Sequence, residues 1–459
     1  MKGEFDIQKK RLIGYVICTV GFGLMLWAFY PGMMSGDSIA SLGEGRSGII
    51  YDQNSPLMSF LWGKLDMFVP GPGLMLTLQL AVFWAAAAVL WEAVYRESLG
   101  LGIACVLFPF MPQILSQLPM IWKDVGMGVT LFLSATLVYW AAKNKTLVPL
   151  LFSPIFLFYG LAARLNALPA VLPIAIWTGF VVTSFLGSGK RPMMAVAIGT
   201  AYCVALFAAV QLVQASVTGG RTSYPFQFVL LHDLAAISLS NGEPGFPAYI
   251  SENTNFSMEN VRKNYRTTTV GGLVYGDESA PGAPAVLEVA EDPQKISQLR
   301  AVWGQQVAAN PAVYLRHRLG VFGELIGLGR SVSFQYWDLD LSRNPPEFPI
   351  GKNGAGTALT GYFRLFQRPL MQTFFFRAFI WILACGYFFY CSLRSRLRGD
   401  WSFVFVLSAS SLLYILSYFF TAPAADFRYV YWPAIASAIV VIFGIYLLRI
   451  QKAEAIART

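Results

Sequence analysis

Apolar residues gather in ten runs long enough to cross a lipid bilayer, at about 12–30, 73–94, 101–117, 125–142, 147–163, 167–186, 193–214, 372–393, 401–421 and 429–448. A backbone in hydrocarbon must satisfy its own hydrogen bonds, so each run is predicted to be a helix. The pattern therefore predicts an all-α polytopic membrane protein with about ten transmembrane helices. One hydrophilic insertion, about 215–371, divides the chain into an N-terminal membrane module (1–214), an outer domain (215–371) and a C-terminal membrane module (372–459).

Between the runs the pattern changes period. The first loop, 31–72, follows the first apolar run directly and carries a short amphipathic surface helix at 38–44. The insertion is mostly helical where it has period: Pro293 to Gly329 reads as two helices broken at Asn310-Pro311. From Ala312 aromatic and basic residues alternate, which suits a helix lying in the membrane interface. The stretches 221–226, 242–247, 267–285 and 343–357 are rich in Gly, Pro, Ser, Thr or Asn and read as loops. The first apolar run, from Ile13 to Tyr30, is too long for a signal peptide and no small-residue cleavage site follows, so it is read as a retained helix.

Composition agrees: of 459 residues 56% are hydrophobic and only 13% charged, too apolar for a soluble chain of this length. The net charge of +9 could point to nucleic acid, so its placement decides. With the N-terminus in the cytoplasm, the inside segments hold Lys2, Lys9, Lys10, Arg11, Arg96, Lys143, Lys145, Lys190, Arg191, Arg394, Arg396, Arg398, Arg449, Lys452 and Arg458. The short outside loops hold only Arg46, Lys64, Lys123, Arg164 and Arg428. The inside segments account for the whole excess, as the positive-inside rule requires, and nothing is left for a nucleic-acid partner. Both termini are placed in the cytoplasm. Cys18, Cys105, Cys203, Cys385 and Cys391 all lie in or at the ends of apolar runs without paired spacing, and read as packing residues.

In that orientation specific polar clusters collect at the outer rim. They are Asp37 and Asp52 in the first loop, Lys123-Asp124 before the fourth span, Arg164-Leu165-Asn166 between the fifth and sixth, His232-Asp233 early in the insertion, Arg316-His317-Arg318 on the interfacial helix, and Asp426-Phe427-Arg428 before the tenth span. Each has a plainer reading: Lys123-Asp124 as a solvated pair at a helix start, Arg164 as a snorkelling anchor, Arg316 and Arg318 as headgroup contacts, Asp426 with Arg428 as a local pair, His232 as a structural histidine, Asp37 as an N-cap. Six segments delivering ionisable residues to one depth together predict a pocket open to the outside. The chain has two histidines and no DxD, HExxH or CxxC, which disfavours zinc; magnesium or manganese could be held only by isolated carboxylates with water, and no cofactor or metal is assigned. No P-loop or GxGxxG is present to serve a nucleotide.

Pro31-Gly32, Gly36-Asp37-Ser38, Tyr51-Asp52 and Ser55-Pro56 in the first loop resemble the first extracytoplasmic loop of GT-C glycosyltransferases, polytopic enzymes that use polyprenyl-phosphate sugars. Trp122-Lys123-Asp124, Arg164-Leu165-Asn166-Ala167, the segment 232–238, the segment 310–319 and the segment 426–432 are similar to the bacterial branch of that superfamily. One position departs: relatives often carry a histidine-proline element after the second acid, where this chain has Asn54.

The resemblance implies a sugar donor on a polyprenyl monophosphate, undecaprenyl in a bacterium, and an extracytoplasmic glycan, lipid or protein acceptor, at the outer face of the bacterial inner membrane. Asp37 would be the general base of an inverting single displacement. Lys123, Arg164, Arg316, His317, Arg318, Arg377 and Arg428 would be candidates to stabilise the leaving phosphate, with the residues of the interfacial helix favoured. Asp52, Asp124, Asn166, Asp233 and Asp426 would orient those cations or hold sugar hydroxyls, with His232 beside them. Trp62, Trp122 and Trp337 are candidates to stack on sugar rings or to anchor at the interface. Two other classes stay open: an O-antigen-type polymerase or ligase, which uses paired arginines, and a lipid or polysaccharide transporter, which would need broken spans or charges at the midplane.

Overall fold

The computed structural model describes residues 2–457 apart from 188–191, 277–284, 330–343, 350–357, 359, 363–364, 366–367 and 371–372. Trp337 and most of the 343–357 loop lie outside the described residues.

The N-terminal module begins with α1 (Lys2–Phe29), the surface pair α2 (Gly36–Ser47) and α3 (Pro56–Asp66), then α4 (Gly73–Val94) and α5 (Leu99–Leu107). After a 3-10 turn at Phe108–Phe110 follow the short α6 (Pro112–Leu115), α7 (Lys123–Asn144), α8 (Val148–Ala163), α9 (Leu168–Phe185) and α10 (Pro192–Thr218). The outer segment holds α11 (Gln227–Asn241), the short α12 (Ala248–Ser251), α13 (Met258–Asn264) and α14 (Gly271–Val274), then α15 (Pro293–Ala309) and α16 (Pro311–Leu325). The C-terminal module is α17 (Ala378–Arg394), α18 (Trp401–Thr421) and α19 (Tyr431–Ile456).

Seven of these stretches are long and apolar enough to cross a membrane, and three shorter apolar helices, Leu99–Phe110, Val148–Ala163 and Ala378–Arg394, fall at the other predicted runs. The protein is a polytopic helical membrane protein. The third predicted run is not one helix, because Pro109 and Pro112 each remove a backbone donor and break it into α5, a 3-10 turn and α6. The helix α7 is the axis: 89% of its apolar window is buried, against 33% for α1 and 28% for α10 at the periphery. It packs against α4, α8, α9 and α19, while α18 packs on α9 and joins the C-terminal helices to the bundle.

The insertion is not one unit. Residues from Leu230 to Leu299 build their own apolar core, with Leu231, Leu234, Ile250, Val261, Leu273 and Leu287 at its centre. The break at Asn310-Pro311 lies where the sequence places it, but Val321 and Leu325 of α16 join the core of the membrane helices. Thus α16 is wedged between α11 and α18 rather than resting on a lipid surface.

Candidate functional site

The first turn of α2 is fixed from both sides. The Ser38 hydroxyl accepts from the Ser35 backbone N–H (3.0 Å) and donates to the Ile121 carbonyl (2.9 Å), and the Trp122 indole donates to Ser35 Oγ (2.7 Å). Reciprocal backbone bonds, Met33 N–H to Pro119 O and Ile121 N–H to Met33 O, both 3.0 Å, tie the loop to the segment entering α7. Asp37 is thereby held in the first turn of α2, beside the start of α7, with half of its side chain (50%) exposed. Farther along, α2 crosses α3 at Gly45 and Gly63, whose backbones touch: a Cβ on Gly45 would lie 2.4 Å from Ser59 O.

Asp37 faces Arg428, which pairs with it through Nη1. Arg428 Nε also lies 2.9 Å from Asp426 Oδ2, and its guanidinium sits 5.2 Å from the ring centres of both Trp122 and Tyr429. Also near Tyr429, 4.8 Å from its ring centre, is the guanidinium of Arg164, paired with buried Asp124 and donating to Asn166 Oδ1 (3.1 Å). Lys123 donates to the Gln53 carbonyl at 2.7 Å and, among the described residues, makes no ion pair. Four segments therefore meet around Asp37: the first loop, the start of α7, the α8–α9 turn, and the chain leading into α19.

Electrostatics follow. Burial raises the proton affinity of Asp37, but Arg428, Lys123 and Arg164 outweigh it and hold the carboxyl below its usual range. Burial pushes Asp426 up to about 6, with Arg428 opposing. A half-exposed carboxylate thus stands beside three cations, Arg428 and Arg164 being mostly covered (18% and 13% exposed), and this charged cluster forms the basin. Such a basin can hold an anion while a base stands at its edge.

The other predicted residues do not join it. Asp233, Arg318 and His317 are buried in a separate core between α11 and α16. Arg318 Nη2 lies 2.6 Å from Asp233 Oδ1, and Arg318 donates to the carbonyls of Ala422 (2.8 Å) and Val229 (3.1 Å). The Trp303 indole donates to Asp233 Oδ2 (2.9 Å), and His317 Nδ1 meets the Tyr265 hydroxyl at 2.9 Å. His232 meets the Arg266 carbonyl (2.9 Å), and its ring stands edge-on to His317 at 4.5 Å. Burial pushes His232 down to about 4 and His317 lower still, so both rings are neutral.

The sequence pattern puts all four at the outer rim, His317 and Arg318 because α16 reads as an interfacial helix, His232 and Asp233 because they open the outer insertion. Wedging turns His317 and Arg318 inward, and only Arg316 stays exposed. The cluster instead secures the segment 422–425, whose backbone also bonds to Thr268 O and Val270 N–H, immediately before Asp426.

Asp52 is likewise a tether: its oxygens accept from Thr222 Oγ1 (2.5 Å), Ser223 N–H (2.6 Å) and Ser223 Oγ (2.9 Å). Arg377 donates to the carbonyls of Gly327 (2.6 Å) and Gly329 (3.0 Å), and the buried Trp62 donates to Gly71 O (3.0 Å). Two residues were missed. Tyr429, whose ring is close to two guanidiniums, could have been suspected from its place beside Arg428. Glu44, which accepts from Ser59 (2.8 Å) and from the departing residue Asn54 (3.2 Å), carried no signal beyond lying two turns after Asp37.

Among the described residues no three His, Cys, Asp or Glu side chains group so as to hold a metal. No protein-family profile, curated protein or solved structure matches this chain, so the chemistry of the basin is read from its own side chains.

Proposed function

We propose that the protein is a glycosyltransferase of GT-C type. It moves a sugar from a polyprenyl-phosphate donor, undecaprenyl in a bacterium, to an extracytoplasmic acceptor at the outer face of the bacterial inner membrane. The observation that carries this reading is Asp37 set at the edge of a basin holding Arg428, Arg164 and Lys123.

In the reaction the acceptor oxygen attacks the anomeric carbon and its proton goes to Asp37. The bond from that carbon to the phosphate oxygen breaks with inversion, and polyprenyl phosphate leaves. Charge grows on the phosphate as the bond breaks, so the cations favour departure. Arg428 has a double role. While it pairs with Asp37 the carboxylate is a weak base; a phosphate that draws on Arg428 and Lys123 offsets their field and raises the proton affinity of Asp37.

The test is Asp37→Asn, assayed for sugar transfer and for binding of polyprenyl monophosphate. A positioned base contributes about 10² to 10⁴ in rate, so transfer should fall by that factor while insertion and lipid binding persist. Full transfer by this variant would remove Asp37 from the role.

A further inference from the structure

Arg428 and Arg164 are each held by a carboxylate, whereas Lys123 is held by a carbonyl. Its ammonium rides on four flexible methylenes with three donors to place, and the 2.7 Å bond to Gln53 O is what fixes it. The position of that carbonyl therefore decides where the charge stands.

Gln53 lies in a strap, residues 51–55, whose flanks are tied down. Asp52 is bound to Thr222 and Ser223, and the Ser55 hydroxyl donates to the Ala162 carbonyl at 3.2 Å, two residues before Arg164. The Gln53 side chain makes one long contact, 3.4 Å to the Tyr275 hydroxyl. The firmer hold comes from α2. The Glu44 carboxylate accepts from the Asn54 amide (3.2 Å), from the Ser59 hydroxyl (2.8 Å) and from the Tyr51 backbone amide, so it grips the strap on both sides of Gln53.

Glu44 is half-buried. Burial raises its proton affinity, and the bonds from Ser59 and Asn54 and the nearby charge of Lys123 oppose that rise. It follows Asp37 by seven residues, so the two share a face of α2, about 10.5 Å apart along the axis. One helix thus carries Asp37 near one end and the grip on the strap near the other.

We infer that Glu44 is a positioning residue: through Asn54 and the Gln53 carbonyl it sets the place of the Lys123 ammonium relative to Asp37. It touches no substrate itself. What this does for catalysis rests on the reading of the basin as a lipid-phosphate site, but the placement of Lys123 does not.

The experiment uses the full-length protein in detergent. Acylation of Lys123 by an acetyl N-hydroxysuccinimide ester, followed by peptide mass spectrometry, reads the placement of the ammonium. Binding of sugar-free polyprenyl monophosphate reads its use. Glu44→Ala and Asn54→Ala cut the link from its two ends. Each should raise the acylation rate of Lys123 severalfold and weaken lipid binding about three- to tenfold, the range for one lost hydrogen bond. Lys123→Met should weaken lipid binding at least as much. Glu44→Gln keeps the size, accepts from Asn54 and can donate to Ser59, so it should bring both readings back to within about twofold of native. Ser59→Ala removes the contact of Glu44 to α3 and spares the strap, so Lys123 should react there as in the native protein.

Unchanged Lys123 reactivity in both alanine variants overturns the inference. So does Glu44→Gln behaving like Glu44→Ala, which makes charge the agent, or Ser59→Ala behaving like it, which makes the α2–α3 crossing the agent. If Lys123 reactivity responds as expected while no variant, Lys123→Met included, alters lipid binding, the positioning stands and the reading of the basin as a phosphate site falls.

Discussion

Replacing Arg318 by Met tests whether the buried α11–α16 cluster is structural or touches substrate. In the native protein the Arg318 guanidinium is fully buried, 2.6 Å from Asp233, and holds two carbonyls, one of them Ala422 in the segment leading to Asp426. Truncation leaves the Asp233 carboxylate facing the Trp303 indole and, 3.4 Å away, His317 Nε2. Breaking a buried pair from one side costs about 3–5 kcal/mol. Burial already raises the proton affinity of Asp233, so in the variant this carboxyl takes up a proton more readily still.

The deficit should therefore shrink as the pH is lowered, because a protonated, neutral Asp233 no longer needs its partner. The double variant Asp233→Leu with Arg318→Met should recover most of the loss, because an apolar pair of similar size avoids the desolvation of both charges. Hydrogen exchange of residues 266–273, with thermal melting in detergent, reads the local and global loss. If Arg318→Met melts like the native protein at every pH while sugar transfer falls a hundredfold, the cluster contacts substrate and the structural assignment is wrong.

Asp52→Ala removes the acceptor of three hydrogen bonds from Thr222 and Ser223 and should cost about 1.5–3 kcal/mol, seen as faster proteolysis near 219–224, with transfer reduced less than in Asp37→Asn. Gly45→Ala places a methyl against the Ser59 carbonyl and should force α2 off α3 at a cost of about 1–3 kcal/mol; unchanged melting and activity would refute the close crossing. Because its cations depress Asp37, its ionised form and the stability that form contributes persist above the ordinary carboxylate pKa of about 4 and are lost only as pH falls through the lower folded value. The acid limb of kcat/KM should accordingly lie below about pH 4, and Arg428→Gln should move it upward, since burial then acts with less opposition; a limb that stays in place argues against the pair.

The membrane helices were legible because hydrocarbon permits so few backbone solutions: a run of apolar residues must be a helix whatever surrounds it. Helix breaks at Asn310-Pro311 were equally local, set by a missing donor. Asp37 stood out by being an acid in the first loop of a chain where charge is scarce, and Lys123, Arg164 and Arg428 by being cations at span ends. Which of the polar residues meet was decided only by tertiary packing. Whether α16 lies on lipid or between α11 and α18 changes no residue in its sequence. It turns His317 and Arg318 from the solvent into a core, and with them His232 and Asp233. Pairings such as Arg428 with Asp37 span the whole chain, and Glu44 with Asn54 or Arg164 across Tyr429 depend on helix crossings that no local pattern encodes. The sequence alone thus determined that this chain crosses a membrane and where its charge lies. Packing determined which charges form a basin and which became its foundations, because contact between distant segments is set by the shapes of the helices that bring them together.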